Sequence, residues 1–124
     1  MGQVETERQD FVSALKETDE IALTVSGRMS GRKTTRPVWF VQEGNKPYLL
    51  PVTGSDTEWY KNIVKNPTVT LAVNNVRHTA KGRPITDPAK VRGIVEKFRA
   101  KYGPDEIKKY YSKLDVAVEM SLED

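Results

Sequence analysis

The chain has 124 residues, a formal net charge of +3, 37% hydrophobic and 30% charged residues, one histidine and no cysteine. A single domain is expected at this length. Disulfides, thiolate catalysis and cysteine-built metal centres are excluded, and His78 alone supports neither a His-rich metal site nor a Ser-His-Asp triad, so no metal is expected.

The charge is unevenly placed. Residues 1–20 hold six acids against Arg8 and Lys16, so the remainder carries a surplus of seven positive charges. This suits an anionic partner. In that first stretch Phe11, Val12 and Leu15 recur at helical spacing, which predicts a helix over residues 6–19. It is read as a helical segment, and residues 21–124 as one domain. The stretch is too polar for a signal peptide and too acidic for a transit peptide. No apolar run approaches the roughly 18 residues of a membrane span. A cytoplasmic location is the expectation.

Residues 21–26 are apolar and β-branched and predict a strand. The basic, glycine-containing segment from Gly27 to Thr34 reads as a hairpin loop. Residues 36–42 predict a second strand, with Pro37 near its start or at an edge. A turn at Glu43–Lys46 leads to a third strand over 47–53, interrupted by Pro51. Ser55 or Asp56 would cap a short helix carrying Trp59, Tyr60 and Ile63, with Glu58 completing a capping box and Asn66-Pro67 as its stop. Strands over 68–74 and 76–85 flank an Asn74-Asn75 turn suited to positive φ. Asp87-Pro88 opens the clearest amphipathic helix, with Val91, Ile94, Val95, Phe98 and Tyr102 on one stripe. Gly103-Pro104 ends it and starts a helix to about Leu114, and residues 116–122 alternate as a last strand. Six antiparallel strands with short flanking helices predict a mainly β (α+β) small barrel.

Several segments could carry chemistry. Gly27 to Arg36 places four cations and no acid in ten residues, and reads either as an anion-binding loop or as a solvated hairpin. The turn from Pro51 through Gly54 and Ser55 into a helix start could bind an anion or could simply be capped. Asp56 and Glu58 would compete with that anion. Trp39 and Phe40 offer an aromatic wall, but alternation lets only one of them face a given cavity. Tyr110 and Tyr111 could donate a proton or a hydrogen bond to an oxyanion, or could only pack. Arg77, Lys81 and Arg83 share one strand face, a solvated surface or a nucleic-acid contact without interleaved aromatics.

In order and spacing, Ser26–Lys33, Pro37–Val41, Tyr48–Leu50, Trp59–Asn62 and Asn66-Pro67 together resemble the deazaflavin (F420)-dependent nitroreductase and quinone reductase family of the split β-barrel, pyridoxamine-phosphate-oxidase-like superfamily. The similarity runs from about residue 21 to 83. The resemblance implies a six-stranded antiparallel split barrel that binds coenzyme F420, or FMN as in other members of the superfamily. It implies hydride transfer to a small acceptor such as a quinone, nitro compound or enone. It carries tail or phosphate contacts onto Arg28, Ser30, Arg32 and Lys33, the ring border onto Pro37, Val38 and Trp39, and the phosphate turn onto Val52, Gly54, Ser55, Asp56 and Thr57. It places a catalytic tyrosine at Tyr110 or Tyr111. Neither a nucleic acid nor a membrane span is expected as partner. Homodimers with the cofactor at the interface, and monomers, both occur in the superfamily. A non-catalytic cofactor carrier is the alternative to the reductase.

Overall fold

The computed structural model describes residues 10–123. Seven antiparallel strands form one sheet: β1 (Glu20–Ser26), β2 (Lys33–Trp39), β3 (Val41–Glu43), β4 (Lys46–Leu49), β5 (Thr68–Val73), β6 (Val76–Ile85) and β7 (Ala117–Leu122). Their order across the sheet is β2-β1-β5-β6-β7-β4-β3. Strands β2 and β3 are consecutive in the chain yet lie at opposite ends of that order. The chain therefore closes the sheet on itself through one residue, Phe40, and the result is a split barrel.

The expected second strand over 36–42 is thus two strands. Val38 pairs with Ile21 of β1, whereas Val41 pairs with Tyr48 of β4. The sequence runs apolar through the bend, so alternation alone does not show the change of partner. This makes the strand count seven rather than six. The third expected strand, over 47–53, stops at Leu49, just before Pro51, which has no N–H to give to a ladder. The fifth, over 76–85, stands as expected, and Asn74 turns into it at φ 55°.

Among the described residues helix α1 covers 10–15; it ends at Leu15, short of the expected residue 19, and Lys16 and Glu17 already turn back onto it. The rest of that expectation lies outside the described residues. Phe11 and Leu15 of α1 are fully buried in the same apolar cluster as Ile21, Leu23, Leu71 and Met120 inside the barrel. Each such side chain contributes about 2–3 kcal/mol of burial.

Helix α2 (Glu58–Lys65) covers one end of the barrel. It packs so closely on β6 at Gly82 that a Cβ there would stand 2.8 Å from Ile63 Cγ2. Ser55 and Asp56 belong to a 3₁₀ turn over Gly54–Asp56, and Thr57 occupies the N-cap of α2. The capping box expected at Ser55 is therefore not formed.

Helix α3 (Pro88–Tyr102) starts as expected, with the Asp87 carboxylate accepting from the Lys90 N–H at 3.1 Å. Helix α4 (Pro104–Tyr110) ends before Leu114. The two helices build a second core from Val91, Val95, Phe98, Ile107 and Tyr111 against Val41, Leu50 and Ala117. This places the end of α4 over the turn that follows β4, where Ser112 N–H donates to Val52 O at 2.9 Å.

Candidate active-site cleft

A cleft of about 660 Å³ opens where the end of β2, the Leu50–Thr53 segment, the start of α2 and the end of α4 meet. That is within the ordinary size of a cofactor site. Arg36, Pro37, Val38 and Trp39 come from β2, Leu50, Val52 and Thr53 from the turn, Asp56 to Trp59 from the entry into α2, Tyr110 from the end of α4 and Tyr111 from the residue that follows it. Glu20 of β1 completes the rim.

One wall suits an anion. The Thr57 side chain does not cap α2. Its hydroxyl accepts from Thr53 N–H at 2.9 Å and pairs with Thr53 Oγ1 at 2.8 Å. The first-turn N–H groups of α2 are thus left without a side-chain acceptor, at the positive end of the helix dipole. The two carboxylates beside them are paired with cations. Glu58 meets Arg28 at 3.0 Å, and Asp56 meets Lys113 at 3.1 Å. The hydrogen bond and charge of Arg28 hold the Glu58 carboxyl below its ordinary pKa. The competition expected from these acids is therefore offset. Arg36 also lines the cleft and makes no ion pair among the described residues.

The other wall is aromatic. Trp39 stacks on Tyr102 with ring centroids 4.3 Å apart and planes 7° from parallel, and meets Tyr110 edge-on at 5.6 Å. Its neighbour Phe40 points the other way and is fully buried, so one of the pair faces the cleft, as alternation requires. Tyr110 is half-exposed, whereas Tyr111 is only 7% exposed. The Tyr111 hydroxyl makes no hydrogen bond among the described residues. Burial, and to a smaller degree the adjacent Tyr102, push this phenol well above its ordinary pKa, so it keeps its proton.

Eight of the residues singled out in the sequence converge here: Pro37, Val38, Trp39, Val52, Asp56, Thr57, Tyr110 and Tyr111. Six others do not line the cleft. Arg28 donates from its backbone and its guanidinium to Asn62 Oδ1, at 3.1 and 2.8 Å, and buttresses α2 from the side. Ser30 accepts from Arg32 N–H within the exposed hairpin loop. Arg32 is exposed, and Lys33 borders a separate polar hollow with Thr24, Ser26 and Asn66. Gly54 and Ser55 face Asp115, whose carboxylate accepts from Ser55 N–H at 3.0 Å and from Ser55 Oγ at 2.6 Å. Glu20, Leu50 and Trp59 line the cleft without having been given a role from the sequence, whereas Arg36 belongs to the basic segment, and Thr53 and Glu58 to the turn and helix start, that the sequence marks as candidate anion sites. The first three depend on how the chain folds back.

Among the described residues no group of acids and His could hold a metal ion, and no helix is long and apolar enough to cross a membrane. The chain matches the model of the F420H(2)-dependent quinone reductase family over residues 3–120. No curated protein matches it. Solved structures do. An F420-H2 dependent reductase is 21% identical, with a TM-score of 0.66 over 83% of this chain and 94% of that one. A provisionally assigned pyridoxamine 5'-phosphate oxidase from Listeria innocua is 13% identical, with a TM-score of 0.72 over 94% of each chain. A protein of the pyridoxinephosphate oxidase family from Clostridium acetobutylicum is 14% identical, with a TM-score of 0.69 over 96% of this chain and 85% of that one. At these identities the likeness carries the split-barrel fold.

Proposed function

The chain belongs to the F420H(2)-dependent quinone reductase family, which makes it an F420H2-dependent oxidoreductase with coenzyme F420 rather than FMN as cofactor, and we propose that it works at the cleft between β2, α2 and α4. The observation that carries this reading is the pairing, in one cleft, of an uncapped helix start beside Arg36 with the aromatic wall of Trp39. F420 combines a phosphodiester and glutamates with a flat tricyclic ring, so it needs both walls.

In this reading Arg36 and the first-turn N–H groups of α2 take the anionic part of the cofactor. Val38, Trp39 and Val52 border the ring and keep water from it. Reduced F420, when bound, supplies a hydride to the acceptor. A quinone needs one further proton to become the hydroquinone, and that proton comes from solvent. Tyr111, which keeps its own proton, donates a hydrogen bond to the acceptor oxygen on which negative charge develops. Asp56 and Thr57 shape the turn, while Arg28, through Glu58, keeps a carboxylate from repelling the cofactor. The loop residues Ser30 and Arg32, and Lys33 at the start of β2 rather than in the expected loop, lie outside the cleft and are proposed to meet only the far end of a long anionic tail.

The test is a titration of the purified protein with F420, followed by the shift in deazaflavin absorbance. Turnover of F420H2 against quinones, nitro compounds and enones is measured alongside. Binding at micromolar concentrations with fastest turnover on quinones is the expected result. Absence of any F420 binding overturns the proposed site. Binding without turnover of any acceptor overturns the proposed role of the cleft residues in reduction.

A further inference from the structure

Phe40 is the single residue between β2 and β3, and neither sheet ladder includes it. Its backbone is satisfied from α3 instead. Phe40 N–H donates to the Tyr102 hydroxyl at 3.0 Å, and Lys101 Nζ donates to Phe40 O at 2.8 Å while lying 3.7 Å above the Phe40 ring. The Tyr102 hydroxyl also stands 2.7 Å from two carbonyl oxygens, those of Phe40 and of Asp19, just before β1. It has one proton and can donate to one of them at a time. Burial raises its pKa to about 12, so that proton stays in place. The same side chain carries the ring on which Trp39 stacks.

We infer that Tyr102 is the positioning residue of the cleft, its hydroxyl fixing the bend that closes the barrel and its ring fixing the plane of the Trp39 indole against which the cofactor ring lies. The inference rests on the proposed use of the cleft by F420. It differs from that reading in that Tyr102 does not line the cleft and touches no reactant. Trp39 sits next to the bend, so loss of the stack together with the pin on Phe40 would let the indole swing. A swing displaces any planar group packed on it. The stack supplies the orientation, and the hydroxyl supplies the anchor.

The test compares wild type with Tyr102→Phe, Tyr102→Leu and Trp39→Phe. The near-ultraviolet circular dichroism of the ligand-free protein reports the stack. Amide exchange at Phe40 reports the bend, and F420 titration reports the cleft. Trp39→Phe and Tyr102→Leu are expected to lose the same indole band, whereas Tyr102→Phe retains it. Exchange at Phe40 accelerates in both Tyr102 variants. Loss of one aromatic stack weakens F420 binding in Tyr102→Leu by about tenfold, and Tyr102→Phe recovers most of it. A merely structural tyrosine would lower stability without removing the Trp39 band. A wild-type band together with wild-type affinity in Tyr102→Leu overturns the inference. If Tyr102→Leu does not fold, Tyr102→Phe decides, and unaltered exchange at Phe40 overturns it. A band lost and exchange accelerated in a protein that never binds F420 upholds the clamp and overturns the cofactor reading.

Discussion

At the scale of single residues, two buried polar groups illustrate opposite uses of burial. Tyr111 lines the cleft without a hydrogen-bond partner among the described residues, and an unmet buried hydroxyl costs about 1–3 kcal/mol. Tyr111→Phe is therefore expected to leave folding stability unchanged or slightly higher, leave F420 affinity within about twofold, and lower kcat on quinones by about 10- to 100-fold. Steady-state kinetics beside thermal unfolding read this out, and an unchanged kcat removes Tyr111 from the reaction. Glu119 is buried and fully partnered. Burial alone would raise its pKa. The Tyr48 hydroxyl at 2.9 Å, Arg83 at 3.1 Å and Lys46 at 3.6 Å outweigh that and hold it below the ordinary carboxylate value. A carboxyl depressed by folding stabilises the protein above its unfolded pKa of about 4.3, and the effect is lost as pH falls through the lower folded value. Glu119→Gln is expected to cost about 1–2 kcal/mol at pH near 7 and to approach wild type below pH of about 3. Urea unfolding at the two pH values checks this, and a gap independent of pH excludes the ionised carboxylate as its source.

At the scale of elements, the site depends on a turn that local sequence rules do not describe. Gly54 has φ +58°, and a Cβ there would collide with Asp115 Oδ1 and approach Lys113 O to 3.0 Å. Strain and collision together put Gly54→Ala at a cost of about 3 kcal/mol. Because Asp115 and Lys113 hold the turn that leads into α2, this variant is also expected to lose F420 affinity. Asp115→Ala, which removes the obstructing carboxylate, should restore part of the stability in the double variant but not the affinity. A double-mutant cycle by thermal unfolding measures this, and strictly additive costs contradict the collision. The contrast with α3 shows which parts of the molecule the sequence made legible. Asp87, Pro88 and the Val91–Phe98 stripe lie within one helix, and local spacing was sufficient to place them. The β6 strand and its Asn74 turn were legible for the same reason. The division at Phe40 and the Asp115–Ser55 contact depend on partners 60 or more residues away, or on a change of strand neighbour, whereas the shift of the α2 N-cap to Thr57 is local, set by the 3₁₀ turn and the Thr53–Thr57 bonds. Only the family resemblance reached across those distances, and it led to Pro37–Trp39 and Tyr110–Tyr111 but not to Arg36.

At the scale of the whole molecule, the surplus of positive charge after residue 20 is not a single patch. The four cations between Gly27 and Arg36 take four different positions. Arg28 is spent on Glu58 and Asn62, Arg32 is exposed in the hairpin loop, Lys33 borders the polar hollow on the outer face of β1 and β5, and Arg36 enters the cleft. Arg36 is exposed, as Arg32 and Lys33 are, but it stands at the cleft, where a bound cofactor would cover it. A covered charge is screened less by salt than one left in water, and the Debye length falls from about 10 Å at 0.1 M to about 3 Å at 1 M. Two components of F420 affinity follow, a salt-sensitive one from the exposed loop and a more resistant one from Arg36 with the α2 start. Raising the ionic strength from about 0.05 to 0.5 M is expected to weaken F420 binding several-fold without abolishing it. The double variant Arg32→Gln, Lys33→Gln should flatten that dependence and leave high-salt affinity unchanged. Arg36→Gln should weaken binding by about tenfold at both ionic strengths. A deazaflavin lacking the phosphate and glutamates should bind weakly and show little response to salt or to either variant. Titrations of wild type and both variants with each ligand at the two ionic strengths check the division. If Arg36→Gln changes only low-salt binding, its charge acts as part of the exposed loop, and the helix start alone is left to hold the anion in the cleft.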